Sequence, residues 1–285
     1  MTGTLYLCAT PIGNLEDMTL RVLRLLKECD LIAAEDTRQT LKLLNHFGIT
    51  TPMTSYYEHN KAVKGPQLLK ALQEGKQIAL VTDAGMPGIS DPGEDLVRLC
   101  YANDVPVTVA PGASAVVTAV VLSGLGGRRF VFEGFLPPEK KERAKVLDAL
   151  AKEQRTTVFY EAPHHLVETL RTLTLAVGNR QACCLRELTK KFEERRSGTL
   201  SELLAWYEEH PPKGEFVIVV AGRDPDEMQK EQEAAFASLS LEEHMARYLA
   251  AGKMEKEAMK LVAKDRGVSK REIYAALKGH GKKES

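Results

Sequence analysis

No stretch of this sequence approaches the ~18 consecutive apolar residues that would span a bilayer. The opening MTGTLYLCATPIGN reaches a proline and a glycine too soon for a signal peptide, and no basic segment precedes it. Both absences predict a soluble, cytoplasmic protein with no membrane partner. Cysteine is scarce: five among 285 residues, none in a Cys-x-x-Cys pair, with Cys183 and Cys184 adjacent. An odd number without ligand spacing predicts reduced, structural thiols. There is no H-E-x-x-H and no G-x-S-x-G, which speaks against zinc hydrolysis and against a serine nucleophile. Neither G-x-G-x-x-G nor a Walker A loop occurs, so the strict dinucleotide and nucleoside-triphosphate readings are weak. No metal site is expected. Charge of one sign is also missing, with 39 basic against 39 acidic residues, which removes any global polyelectrolyte signal. A local basic patch remains compatible with RNA.

What is present is alternation. Short runs rich in β-branched residues predict strands at 4–9, 31–34, 77–82 and 105–109, separated by helical stretches near 19–29, 37–47, 93–102 and 113–123. A second set predicts strands at 130–133, 156–160, 181–185 and 216–221, with helices after Pro137-Pro138 and around 164–176 and 201–209. The alternation of the first set implies a parallel or mostly parallel sheet covered by helices. The expected fold is α/β: two consecutive α/β domains, 1–125 and 126–222, with the flexible GLGGRR at their junction and a cleft between them. Residues 223–238, almost without apolar side chains, read as a linker. Residues 239–285 read as a small helical tail with a helix-turn-helix outline, turning at Gly267 and capped by Ser269. From residue 253 onward ten Lys/Arg face five Asp/Glu, so positive charge is concentrated where the total hides it.

The stretch ALVTDAGMPGISDPGEDLV (79–97) places Asp83, Gly85, Pro87, Gly88, Asp91, Pro92 and Gly93 between a strand and a helix. Turning the chain and capping a helix by Asp91 would need less. Ligands of α/β sheets bind beyond the carboxyl ends of the strands, and the glycines allow close approach or positive φ. Asp83 is placed to accept a ligand's hydroxyl or amine hydrogens. Three further segments leave strands in the same way: ATPIGNL (9–15), AAEDTR (33–38) and APGASAV (110–116). Glu35, Asp36 and Arg38 stand in the second, where Asp36 or Thr37 serves equally as an N-cap. In the second half FYEAPHH (159–165) and LRELTKKFEE (185–194) do likewise. These residues support two α/β domains around a polar cleft and do not name the ligand.

In order, TPIGNLEDMTLR, AAEDTR, VTDAGMPGISDPG, PGASA, FYEAPH, RELTK and GEFVIVV resemble the tetrapyrrole-methylase-like (class III) S-adenosylmethionine methyltransferases. The resemblance covers roughly residues 4–221. It is closest to the members that methylate the ribose 2′-oxygen of a cytidine in 16S rRNA of the small ribosomal subunit. It implies S-adenosylmethionine (SAM) folded in the cleft. Pro11, Asp83, Gly85, Met86, Pro87, Ser114 and Ala115 would hold it from the first domain. Tyr160, Ala162, Pro163, Arg186 and Ala221 would close it from the second. Met86, Ala162 and His165 depart from the Thr, Ser and Arg usual in that subfamily. A ribose hydroxyl is a poor nucleophile until deprotonated or polarised. Glu35, Asp36 and Glu187 are candidate bases, and Arg38 and Lys190 candidate contacts to phosphate or to the reacting oxygen. The resemblance also implies a homodimer, and the basic tail would grip RNA phosphates. Two alternatives stand beside this: a methylase acting on a tetrapyrrole, and a non-catalytic RNA-binding ribosome-assembly factor.

Overall fold

The computed structural model describes residues 2–224, 236 and 239–280, and its contacts form two units, Met1–Ala221 and Gly222–Ser285. Most of the expected linker, 223–238, therefore lies outside the described residues.

The larger unit begins with an all-parallel sheet of β1 (Leu5–Cys8), β2 (Leu31–Ala34), β3 (Met53–Ser55), β4 (Ile78–Val81) and β5 (Val107–Ala110), in the order β3-β2-β4-β1-β5. Its middle strands are covered on both faces, which is why IALV reads as an unbroken apolar run instead of alternating. Helices α1 (Leu20–Glu28), α2 (Thr37–His46), α3 (Lys61–Gln73), α4 (Gly93–Tyr101) and α5 (Ala115–Ser123) connect the strands and lead out of the sheet. Local signals set their starts: Thr19 accepts from Val22 N at 3.2 Å, and Asp36 from Arg38 N at 2.8 Å. One face of the sheet packs Val22, Leu26 and Leu44, the other Leu68, Leu72 and Leu96.

A mixed sheet follows: β6 (Phe130–Gly134), β7 (Thr156–Glu161), β8 (Gln181–Arg186), β9 (Glu194–Thr199) and β10 (Phe216–Val220), ordered β6-β7-β10-β8-β9. Only β6 and β7 are parallel; β10 runs antiparallel to both of its neighbours. Helices α6 (Lys140–Leu150), α7 (Leu166–Val177) and α8 (Leu200–Glu209) accompany it, and Leu166, Leu170, Leu173, Leu200 and Leu203 build their side of its core. The two sheets are joined by α5, whose sequence AVVTAVVLS carries no charge. Its Val116, Ala119 and Val120 pack with Val158, Cys183, Leu185, Val217 and Val219 of the second sheet and with Ile12 of the first half.

The α/β class expected from the alternation is the one observed. Three elements were not anticipated: β3, α3 and β9. All five thiols are free and buried. Burial pushes Cys8 up to about 12 and Cys100 up to about 11, so neither is a ready nucleophile.

In the C-terminal unit α9 (Leu241–Ala250), α10 (Glu255–Asp265) and α11 (Lys270–His280) pack around Met245, Met259, Val262 and Ile273. Gly267 turns the chain at φ 65° and Ser269 Oγ accepts from Glu272 N at 3.3 Å, as the expected helix-turn-helix start requires. His244 is fully buried: Arg266 Nε donates to its Nδ1 at 3.2 Å, and its Nε2 faces Asp265 Oδ2 at 3.2 Å. That pattern fixes a neutral ring with the proton on Nε2. Burial, opposed by Asp265 and aided by Arg266, holds its pKa below the ordinary value. The unfolded unit therefore takes up a proton, as pH falls through about 6.5, that the folded unit refuses. Stability of this unit is full above that pH and declines below it. Hydrogen exchange in α10 of the full chain, corrected for intrinsic rate, is expected to be faster at pH 5.5 than at 7.5. A His244→Gln chain should lack this difference.

Candidate active site

Within the loop at 82–92 one side chain makes most of the bonds. Asp91 accepts from Gly88 N (2.8 and 3.0 Å), Ile89 N (3.2 Å) and Gly93 N (2.7 Å), drawing the strand exit onto the first turn of α4. Gly88 has φ 88°. A Cβ on Gly93 would stand 2.7 Å from Asp91 Oδ1 and 2.9 Å from Gly88 N, so both glycines are required by the backbone. Because β1 and β4 are neighbours, their exits meet: Thr10 and Gly85 exchange backbone hydrogen bonds of 2.9 and 3.1 Å.

Beside this bridge three carboxylates gather. Glu35 Oε2 accepts from the Thr82 hydroxyl at 2.5 Å, and Asp83 Oδ1 accepts from Asp36 N at 3.1 Å. Asp36 is forked by Arg38, with contacts of 3.1 Å from Nε and 2.8 Å from the terminal nitrogen, and this partner holds its carboxyl at about 2. Partial burial, together with the charges of Glu35 and Asp36, pushes Asp83 upward. Asp36 and Arg38 thus form an exposed, self-satisfied pair.

A cavity of about 330 Å³ opens between the two sheets, within the size range of small-molecule sites. Seven of the expected cofactor contacts line it: Gly85, Met86, Ser114, Ala115, Tyr160, Ala162 and Pro163. Lys190 does so as well. Pro11, Asp83, Pro87 and Arg186 each adjoin a lining residue without lining it themselves, and Arg186 turns to Glu194 at 3.5 Å. Ala221 needs correction. It follows the far end of β10, where its N–H bonds Gln181 O, whereas Phe216 and Val217 at the start of the strand line the cavity. Ala221 came from the resemblance alone; β10 runs antiparallel to β7 and β8, so the start of that strand, not its end, meets the cavity. The sequence reading did not single out Phe135, nor Ile12, Leu185, Leu188 and Glu215, which lie inside the segments it quoted.

Glu187 is committed elsewhere. At φ 50° its Oε1 accepts from Glu215 N at 2.9 Å and from Lys190 Nζ at 3.0 Å, and these donors hold its pKa down, weakening it as a base. Lys190 also reaches Glu215 Oε2 at 2.9 Å. Partial burial pulls Lys190 down, but the two carboxylates outweigh it and keep it above its ordinary value. At neutral pH it is a protonated donor on the cavity wall. Its stem packs on the β1 exit: a Cβ on Gly13 would fall 2.3 Å from Lys190 Cγ. Ser114, at the N-cap of α5, makes no capping bond with its side chain. Among the described residues, no group of His, Cys, Asp or Glu converges as metal ligands.

The fold is shared with solved structures. Uroporphyrin-III-C-methyltransferase from Thermus thermophilus aligns with 77% of this chain and 94% of its own, with a TM-score of 0.55 at 20% identity. Diphthine synthase aligns with 77% and 90%, with a TM-score of 0.62 at 16% identity. At these identities the likeness is one of fold. Residues 4–204 match the family described as tetrapyrrole (corrin/porphyrin) methylases, and the chain belongs to that family. Its more similar relatives bear one name, ribosomal RNA small subunit methyltransferase I. That from Halalkalibacterium halodurans is 52% identical over 95% of this chain and 93% of its own length, and that from Bacillus subtilis 48% over 96% and 94%.

Proposed function

We propose that this chain is a SAM-dependent methyltransferase that modifies the ribose 2′-oxygen of a cytidine in 16S rRNA of the small ribosomal subunit, working in the cytoplasm as a homodimer. The substrate rests on one observation, the 48–52% identity over nearly the whole chain to relatives bearing that rRNA name. The tetrapyrrole alternative has the family description in its favour, but the two relatives named above carry an rRNA name.

The donor set of the cavity fits the cofactor. Ile12, Met86, Leu188 and Val217 offer apolar walls for the adenine base and the methylene chain. The uncapped Ser114 hydroxyl and the first N–H groups of α5 suit a carboxylate. When bound, SAM supplies a methyl group on a sulfonium, open to in-line displacement, so positioning is a large share of the rate. Lys190 then serves as the charged donor to the ribose oxygen or its phosphate. Lowered pKa values weaken Asp36 and Glu187 as bases. Glu35, beside Thr82 and Asp83, is proposed as the base from its position, and Arg38 as an exposed phosphate contact. The domains are read as 1–125 and 126–222, with the tail at 239–285 adding phosphate contacts.

The test uses radiolabelled SAM, the full chain and small subunits lacking native methylation, followed by nucleoside separation. Label in 2′-O-methylcytidine is expected. Label confined to a tetrapyrrole, or SAM binding without RNA modification, would reject the substrate assignment.

A further inference from the structure

The connection from β6 to α6 is the part of the cavity rim that methyl transfer leaves unassigned. Phe135, which follows β6, lines the cavity and is still 56% exposed. Its ring has Tyr160 as aromatic neighbour. It tilts against Tyr160 with centroids 5.7 Å apart, and Tyr160 meets Phe132 edge-on at 4.9 Å. The result is a fixed aromatic face at the mouth, packed behind and open in front.

Beyond it the chain passes through Pro137 and Pro138, whose rings fix φ, into α6, which opens KKERAK. Lys140, Lys141 and Lys145 are exposed and Arg143 is half-buried; among the described residues none of the four forms an ion pair. Lys140 and Lys141 occupy the first turn, where the helix dipole favours acids. Glu139, the N-cap, and Glu142 offset that only in part. Such a start is poor for an isolated helix and well suited to an anionic ligand. Lys140 follows Phe135 by five positions, a span of at most about 17 Å. An open aromatic face beside unpaired cations is the chemistry of single-stranded nucleic acid, in which bases stack and phosphates pair.

We infer that the β6–α6 segment docks the RNA strand carrying the target nucleotide. A base stacks on Phe135, and the neighbouring phosphates lie along Lys140, Lys141, Arg143 and Lys145. The inference rests on the rRNA reading and deepens it, with Phe135 as a positioning residue.

The experiment measures binding of the full chain to unmethylated small ribosomal subunits across a salt series, with methyl-transfer kinetics and SAM calorimetry alongside. Removing three charges (Lys140→Gln, Lys141→Gln and Lys145→Gln together) is expected to flatten the slope of log Kd against log salt by about two. Phe135→Ala should lower kcat/KM for subunits about tenfold with SAM affinity within about twofold, and Phe135→Tyr should restore it where Phe135→Leu does not. An unchanged salt slope in the triple variant, or equal recovery with leucine and tyrosine, overturns the assignment. A parallel loss of SAM affinity in Phe135→Ala does so too. A wild-type chain that neither binds nor methylates subunits overturns the rRNA reading itself, and this inference falls with it.

Discussion

Replacing Lys190 by methionine is expected to slow methyl transfer about 10²–10³-fold, the scale of removing one preorganised donor from a site shielded from water. Lys190 is the expected catalytic residue that lines the cavity, and its two carboxylate partners keep it charged. Methionine preserves most of the stem that packs on Gly13, so the cavity wall should keep its shape. Glu215 is largely exposed and can be solvated alone, while Glu187 still accepts the Glu215 N–H. The fold should therefore survive. Single-turnover kinetics at saturating SAM, with SAM affinity measured separately, reads the effect. A rate within a few-fold of wild type would remove Lys190 from the chemistry and return it to a structural ion pair.

The second large effect is on stability. Asp91→Ala removes the acceptor for three backbone N–H groups in a partly buried loop. A charged acceptor contributes about 1.5–3 kcal/mol per bond, and leaving several donors unsatisfied adds to the loss. A fall of about 3 kcal/mol is expected, or about 6–12 °C in the melting of the β1–β10 unit. Because Met86 and Ile89 of the same loop line the cavity, SAM affinity should fall with it. Asp91→Asn keeps one acceptor and should lose roughly half as much. Calorimetric melting and SAM titration of both variants check this. An Asp91→Ala chain that melts like wild type would mean that the loop is held by its other contacts, the Thr10–Gly85 bridge, Glu35 on Thr82 and the Tyr56 hydroxyl on Pro92.

How far the sequence reached depended on what each signal encodes. Strands β2 and β4 were legible because burial on both faces leaves a plain apolar run. The 82–92 loop was legible because its glycines and Asp91 answer a backbone need that leaves a mark in composition. What stayed hidden lacks such a mark. β3 is three half-buried residues, and α3 carries Gly65 and Pro66 in its interior, which reads as a break. β9, ERRSGT, shows no alternation because its arginines make particular contacts: Arg195 to the Leu122 and Ser123 carbonyls, and Arg196 over the Trp206 ring at 3.7 Å. Ile12, Leu185 and Leu188 looked like ordinary core residues, and nothing local distinguishes a Leu facing another Leu from one facing a ligand. Ala221 is a different case: the resemblance implied it, and the structure sets it after the end of β10 away from the cavity, because β10 runs antiparallel to β7 and β8.

That same strand sets an order of events during synthesis. The first sheet is complete once residue 110 is available, since its last strand in sequence, β5, joins at an edge. The second sheet has no centre until β10 slides between β7 and β8, which leaves each of those strands with an open flank while residues 187–215 emerge. Open flanks invite wrong pairings. A nascent chain halted near residue 210 would thus carry a finished half and a split half, with the Phe216–Val217 side of the cavity still unmade. The pocket comes into existence late, in a single insertion, and a truncation there should leave a partly folded chain that cannot hold a ligand.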